Sequence, residues 1–309
     1  MVEHGGRKYF TDMEKDELRD GFLVTGRRKR IWNAELNLLV EFADICQRYS
    51  LRWQIDYGTL LGAARHGGFI PWDDDVDLTM PRADYEQLQD IMAGMEKYQD
   101  CRGKFFFQTC HTDNTDNTIA KLRDCRTTAI CRDRRQEGRC QGIWIDIFPL
   151  DAVPDGTSRM DRIWEIMRWL IMAVSDPKQL QQLLDSSAEP PIAKSTVERI
   201  LKLSALERMR EYERFAARHF HESAKINYFV YEMAQLFPSM DAAWYEKTVL
   251  LPFEGMHLPA PAGYEQVLTK LYGDWRTPVK EASSHGEVLF SPDIPYYELL
   301  AKGELALLF

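Results

Sequence analysis

The sequence predicts an α+β fold, a β-sheet core flanked by helices with an added helical region in its second half. Three observations carry that expectation. Trp32, Leu36, Leu39, Ala43, Cys46 and Tyr49 recur at helical spacing, which marks one stripe of an amphipathic helix. Short apolar runs at 51–55, 105–110, 119–123 and 143–148 have the length and content of strands. From about Ser158 to Leu236 the chain becomes rich in Arg, Glu, Leu, Met and Ala at helical spacing, with a break near Ser186–Pro191.

In chain order, residues 1–26 form a lead-in with a short helix over 12–20, and the amphipathic helix follows from Arg27. The strand over 51–55 leads into Asp56-Tyr57-Gly58-Thr59 and a short helix through Ala64, which Gly67-Gly68 ends. Residues 69–80 are a loop running into a second strand, and Pro81 opens a helix to about Met95. Further strands come next, then the helical stretch. The tail from Asp241 carries Pro252, Pro259 and Pro261, a helix over 264–272, and a loop-rich end with Gly273-Asp274-Trp275 and His285. The expected organisation is a lead-in over 1–26, a core over 27–157, a helical insertion or cap over 158–240, and a C-terminal part of the same domain over 241–309.

The chain has 309 residues, 45% hydrophobic and 28% charged, with 39 Lys and Arg against 48 Asp and Glu and a net charge of −9. This composition excludes intrinsic disorder, collagen and a coiled-coil rod. The acidic balance would repel phosphate backbones, so no nucleic-acid partner is expected. No stretch approaches the ~18 apolar residues of a spanning helix. The first six residues have no apolar core, so no secretory signal is visible and a reducing cytosol is the expected location. Six cysteines occur, five of them between Cys101 and Cys140, but no Cys-x-x-Cys pair is present. Their spacings match no common zinc module, and reduced thiols are expected.

The most informative segment is Gly67-Gly68-Phe69-Ile70-Pro71-Trp72-Asp73-Asp74-Asp75-Val76-Asp77. In an extended chain Asp73, Asp75 and Asp77 point one way while Val76 and Leu78 point into the core. At ~4–7 Å and an effective dielectric of about 20, each carboxylate pair repels by roughly 2–4 kcal/mol before relaxation. An all-oxygen, carboxylate-rich set suits Mg²⁺ or Mn²⁺ better than zinc. A solvated acidic turn competes with this reading, but the apolar run before it and the strand after it argue otherwise. An EF-hand loop fails, because its position 6 would be Leu78 and its position 12 Asp84.

In Ile143-Trp144-Ile145-Asp146-Ile147-Phe148 the isoleucines take one face and Trp144, Asp146 and Phe148 the other. A carboxylate at the centre of so apolar a strand needs a cation or hydrogen-bond donors. Backbone amides would satisfy it. The alternative is that its strand neighbours the acidic one and completes a three-carboxylate metal site. Upstream, Gly58 and Thr59 lie at a strand-to-helix turn, where free amides form a phosphate cradle. Arg65, His66, Lys121 and Arg123 are available for phosphate, or stand as surface charges.

The run from Tyr57 to Asp77 closely resembles the signature of the LicD family, the phosphocholine transferases of bacterial surface glycans related to the fukutin-type ribitol-phosphate transferases. Met80-Pro81-Arg82-Ala83-Asp84-Tyr85, Ile145-Asp146-Ile147-Phe148-Pro149-Leu150, Pro252-Phe253-Glu254-Gly255, Pro261-Ala262-Gly263-Tyr264 and Leu271-Tyr272-Gly273-Asp274 extend the resemblance over roughly residues 30–290. It implies a nucleotidyltransferase-like mixed sheet in which Asp75 and Asp77 are the metal pair, Asp146 the third carboxylate and Gly58-Thr59 the phosphate turn. Asp73 would ligate through water. Residues 158–240 match little, and where the family often carries paired histidines near the end only His285 stands.

The resemblance implies an enzyme that transfers a phospho-alcohol group, phosphocholine first, from a CDP-linked donor such as CDP-choline to a hydroxyl of a cell-surface glycan, releasing CMP. Asp75, Asp77 and Asp146 would hold Mg²⁺ or Mn²⁺, with Asp146 as ligand or as base. Lys121, Arg123 and Arg65 would clamp phosphate. CDP-ribitol and CDP-glycerol are alternative donors. A nucleotidyltransferase moving NMP from an NTP to a small molecule, a metal-dependent glycosyltransferase and a binding-only protein are alternatives from other classes. Trp72, Trp144, Tyr57 and Trp275 are candidates for an aromatic cage around choline. A lipid-linked acceptor would bring the protein to the inner face of the membrane, where Gly26-Arg27-Arg28-Lys29-Arg30 would touch anionic lipid or form a solvated helix start.

Overall fold

The computed structural model describes residues 14–113, 118–131, 139–187, 189–279 and 288–302. It is a mixed α/β fold built on a multi-strand mixed sheet, as the sequence predicts. The chain divides into two compact units, one of Met1–Met80, Leu88–Phe148 and Lys247–Phe309, the other of Pro81–Gln87 and Pro149–Glu246.

The described chain opens on a hairpin of β1 (Glu17–Arg19) and β2 (Phe22–Val24), not on the predicted helix, whose first residues lie outside the described ones. Asp20 and Gly21 both take positive φ, 48° and 74°. Such a two-residue turn matches the twist of paired strands. Helix α1 (Gly26–Tyr49) begins where the Thr25 hydroxyl accepts the Arg28 N–H and ends at Ser50 in the left-handed region. Of the predicted stripe, Trp32, Leu36, Leu39 and Cys46 are buried, while Tyr49 is exposed.

Strand β3 (Gln54–Ile55) is shorter than predicted and leads into helix α2 (Tyr57–His66), which Gly67 closes at φ 66°. Strand β4 (Asp77–Pro81) follows, and Pro81 ends this strand instead of opening helix α3 (Arg82–Ala93). Then come β5 (Phe105–Gln108), β6 (Ala120–Asp124), β7 (Thr128–Cys131) and β8 (Ile143–Val153). In the first unit the strands lie in the order β3, β4, β8, β6, β5. The two acid-bearing strands are therefore neighbours, joined by the Asp146 N–H on the Val76 carbonyl at 2.8 Å.

All six cysteines are free thiols. Cys125 and Cys140 touch at 3.6 Å between sulfurs, inside a buried cluster with Phe106, Ile130 and Tyr296.

In the second unit helices α4 (Ser158–Ser175), α5 (Pro177–Ser186), α6 (Lys194–Leu201), α7 (Ala205–His219) and α8 (Phe229–Ala234) bear out the helical reading of this stretch, including its break after Ser186. The last residues of β8 pair with β9 (Lys225–Asn227), which pairs with β10 (Met240–Asp241). The buried Arg82, Asp151, Tyr212 and Glu213 and the half-buried Glu86 and Arg210 form a charge network here. Burial pushes the Glu86 carboxyl up to about 7; Glu213 adds to this, while Arg82 and Arg210 oppose it. A carboxyl raised in the folded state contributes stability that is complete below the unfolded pKa and is lost as pH rises through the folded one. Glu86→Gln is therefore expected to stabilise the protein, relative to the parent, more at about pH 8 than at about pH 5 in urea unfolding. An equal effect at both pH values would contradict the raised carboxyl.

The tail returns to the first unit. Strands β11 (Thr248–Phe253) and β12 (Met256–Pro261) form a two-stranded ribbon that includes Pro252, Pro259 and Pro261. Each strand of such a ribbon has an open edge, where a residue without an N–H is tolerated. Helix α9 (Tyr264–Tyr272) has the predicted bounds, and the loop-rich end contains β13 (Val288–Ser291), paired with β7, and helix α10 (Tyr296–Lys302).

Candidate active site

Helix α1 sets the acidic loop in place. Trp32 stacks on Phe69 at 4.7 Å, and Phe69 meets Phe253 at 4.9 Å. The Trp32 indole N–H and the Arg28 guanidinium both donate to the Asp73 carbonyl, at 3.0 and 2.9 Å, and Arg28 lies 3.5 Å from the Asp74 carboxylate. The backbone entering the aspartates is thereby pinned from one side.

Helix α2 pins it from the other. Asp56 caps α2 by accepting the Tyr57 N–H, and its second oxygen accepts the Thr79 hydroxyl at 3.3 Å. The Asp56 N–H donates to the Asp77 carbonyl at 3.1 Å, and the Asp77 N–H donates to the Thr59 hydroxyl oxygen at 2.8 Å. A Cβ on Gly58 would stand 2.7 Å from Asp73 Oδ2, so a larger residue at the start of the helix would have to push the Asp73 carboxylate aside. Tyr57 takes φ 45°, a conformation that costs a non-glycine residue of order 1 kcal/mol or more, and its ring packs on Phe148 at 5.3 Å.

Strand β8 supplies the third acid. Asp146 stands opposite Lys121 in the β6–β8 register, and the Lys121 ammonium binds Asp146 Oδ1. The Trp144 indole N–H donates to Asp146 Oδ2 at 2.8 Å. One carboxylate oxygen from each of Asp75, Asp77 and Asp146 lies within 4.8 Å of the others, and Asp73, Asp74 and Asp75 form a second such group.

The electrostatics follow from this crowding. Burial first, then Asp77 and Asp146, hold the Asp75 carboxyl well above the usual range. Burial, then Asp146, Asp73 and Asp56, do the same to Asp77, with Lys121 opposing. Asp73 is raised by burial and by Asp75. Glu35 on α1 is buried, its Oε2 has no hydrogen-bond partner, and burial together with Asp75 and Asp74 raises its carboxyl. Burial lowers the Lys121 ammonium more than Asp146 raises it. Converging oxygens that cannot all ionise without a counter-charge fit a hard divalent cation.

The structure thus brings Gly58, Thr59, Asp73, Asp75, Asp77, Lys121 and Asp146 together. Arg65 and His66 stand at the far end of α2, about 10 Å along its axis from Gly58. There Arg65 donates to the Trp275 carbonyl at 2.9 Å and His66 lies 3.2 Å from Asp20. Arg123 is buried, donating to Gln108 at 2.6 Å and to the Gly142 carbonyl at 2.7 Å. His285 lies outside the described residues.

The four candidate cage aromatics are engaged separately. Trp144 carries Lys121 and Arg123 over its ring at 4.6 and 5.0 Å, while Trp72 meets Phe22 at 5.9 Å and Arg276 lies over Trp275 at 4.2 Å. The basic cluster at the start of α1 is turned toward its own fold. Arg27 donates to the Phe290 carbonyl, Lys29 pairs with Glu17, and Arg30 pairs with Glu14 and Asp293. Among the described residues no helix is long and apolar enough to cross a membrane.

Sequence reasoning missed Asp56, Glu35, the donor role of Trp144, and Tyr272, whose phenol is held high by burial and by Asp77, Asp56, Asp73 and Asp75. Only Asp56 had a local signal, an acid just ahead of a helix start.

Residues 50–162 match the family model described as "LicD/FKTN/FKRP, nucleotidyltransferase domain", which contains Asp73 to Asp77, Lys121 and Asp146. The chain is 26% identical over 244 residues to the lipopolysaccharide cholinephosphotransferase LicD of Haemophilus influenzae, covering 78% of this chain and 88% of that protein. It is 45% identical over 53 residues to the ribitol 5-phosphate transferase FKRP of Mus musculus and of Homo sapiens, a match covering 16% of this chain and 11% of theirs. An uncharacterised protein of Rickettsia prowazekii, RP689, is 37% identical over 60 residues, 19% of this chain and 23% of that protein.

Proposed function

We propose that this protein, whose residues 50–162 match the LicD/FKTN/FKRP nucleotidyltransferase-domain model, transfers a phospho-alcohol group, phosphocholine first, from a CDP-linked donor to a hydroxyl of a cell-surface glycan, releasing CMP. The observation that carries the reading is the convergence, within 4.8 Å, of Asp75 just before β4, Asp77 at its start and Asp146 on the neighbouring β8. The relatives' functions, cholinephosphotransferase and ribitol 5-phosphate transferase, support the class of group transferred.

In this reading Asp75, Asp77 and Asp146 would hold Mg²⁺ or Mn²⁺, and the bound ion would supply neutralisation of charge on the donor diphosphate and on the departing CMP. Phosphoryl transfer needs little covalent help, so the chain's own task is positioning. Lys121 offers its ammonium to a phosphate oxygen from beside Asp146. Gly58 keeps the start of α2 open so that the donor reaches the aspartates. Asp146, with both oxygens already accepting hydrogen bonds, serves better as a ligand than as the acceptor's base. A lipid-carried acceptor, at the inner face of the membrane, fits the lipopolysaccharide that names the Haemophilus relative.

Incubation with CDP-choline, CDP-ribitol and CDP-glycerol in Mg²⁺, with CMP followed in the presence of a glycan acceptor, tests the proposal. CMP release from one donor, lost in EDTA, is expected. Pyrophosphate release from an NTP, with no CMP from any of the three, would overturn it in favour of nucleotidyl transfer.

A further inference from the structure

We propose that Trp144 is the positioning residue of the third carboxylate: its indole N–H fixes Asp146 Oδ2 so that Asp146 meets the cation and does not collapse onto Lys121. The inference rests on the reading of Asp146 as a metal ligand.

Trp144 and Asp146 are two residues apart on one face of β8, and the register places Arg123 opposite Trp144 and Lys121 opposite Asp146. The indole is buried and donates to Oδ2 at 2.8 Å, while Lys121 binds Oδ1. The ring itself is fixed. It stacks on Phe290 at 6.2 Å with the planes 20° apart, and the Lys121 ammonium lies 4.6 Å from its centroid. Each oxygen of Asp146 therefore has its own donor, and the plane of the carboxylate is set by two points.

Removal of the indole N–H frees Oδ2 to turn toward the nearest cationic group, Lys121, and a carboxylate chelating an ammonium is a poorer ligand for a divalent ion. Oxygen and nitrogen ligands of metals generally depend on such outer partners, whose loss weakens metal affinity or activity by about 10–100-fold. Trp144 is thus removed from the set of candidate choline-cage residues, since the position of its ring serves Asp146 and its faces meet Phe290 and protein cations.

Two replacements isolate the N–H. Trp144→Phe removes it with part of the ring, and 3-benzothienylalanine at position 144 keeps the bicyclic shape with sulfur in place of the N–H. Mn²⁺ alone, titrated by electron paramagnetic resonance, is the binding probe, with Asp77→Asn as the reference. Both replacements are expected to weaken Mn²⁺ binding by about tenfold and to raise the Mg²⁺ concentration for half-maximal turnover by a similar factor, with kcat at saturating Mg²⁺ within about threefold of the parent. A purely structural role would lower kcat or stability without moving the Mn²⁺ affinity. If the isostere binds Mn²⁺ within twofold of the parent while Asp77→Asn has lost it, Trp144 does not position Asp146. If Asp77→Asn binds Mn²⁺ as well as the parent, it is the three-aspartate metal reading that fails. Should the phenylalanine variant not fold, the isostere alone decides.

Discussion

Asp77→Asn is expected to lower phospho-alcohol transfer by about a thousandfold, equivalent to ~4 kcal/mol of transition-state stabilisation, and to leave the protein folded. Both halves come from the same geometry. Asp77 sits at the start of β4 with its N–H on Thr59 and its carbonyl on Asp56, so its backbone is held by groups that the substitution does not touch. Its side chain faces Asp146, Asp73 and Asp56, whose negative charges together with burial hold its carboxyl well above the ordinary range. An amide of the same shape relieves that repulsion but is a far weaker ligand for a hard cation. In EDTA the variant is therefore expected to melt at or above the temperature of the parent, while CMP release falls to background. Near-normal transfer that still requires Mg²⁺ would show that the charge of Asp77 is not used. A large fall in melting temperature would show that the carboxylate is a structural acceptor instead.

The parts of this site legible in the sequence are those encoded locally. Asp73, Asp75, Val76, Asp77 and Leu78 alternate, and a row of carboxylates leading into an apolar strand announces a cation whatever lies around it. Asp146 is exposed as an anomaly by the isoleucines on either side of it. What stayed hidden depends on which elements pack together. Nothing local distinguishes Arg123, whose guanidinium holds Gln108 and Gly142, from Lys121 two residues earlier, whose ammonium meets Asp146. Glu35 borders the buried stripe of α1, and only the packing of that helix over the 69–75 loop turns it toward Asp74 and Asp75.

The missed hairpins have a different cause. Each turns on a residue pair ending in glycine, Asp20-Gly21 and Glu254-Gly255, with positive φ throughout. The strands of the first are three residues long, too short for a period of two to register, and the prolines of the second masked its extended backbone. The loss is not trivial for the site. Glu254, at the tip of the second hairpin, accepts the Phe69 N–H at 3.1 Å and pairs with Arg19 of the first, so both hairpins brace the loop that leads to the aspartates.

Arg82→Ala is expected to cost about 3–5 kcal/mol of stability, against the ~5–15 kcal/mol that holds a typical domain together. Arg82 and Asp151 are both within the second unit, and both are shut off from solvent. Their contact is bidentate, Nε to Oδ1 at 2.7 Å and Nη2 to Oδ2 at 2.8 Å, with the Tyr212 hydroxyl donating to Oδ2 at 3.1 Å. Truncating Arg82 leaves a fully buried carboxylate with one neutral donor, and the penalty is that of the orphaned charge more than the loss of an attraction. The distinction is measurable. Arg82→Leu combined with Asp151→Leu removes both charges, and urea unfolding is expected to show at least half of the loss recovered. If the single change costs less than ~1 kcal/mol, the pair must be hydrated and the burial argument fails. If the double change is as harmful as the single, the ion pair contributes attraction of its own. A loss of stability on Arg82→Ala would show that Arg82, which directly follows Met80 and Pro81 of β4 in a run that resembles the family's signature, serves folding, whereas Asp77→Asn is expected to act on transfer and not on stability.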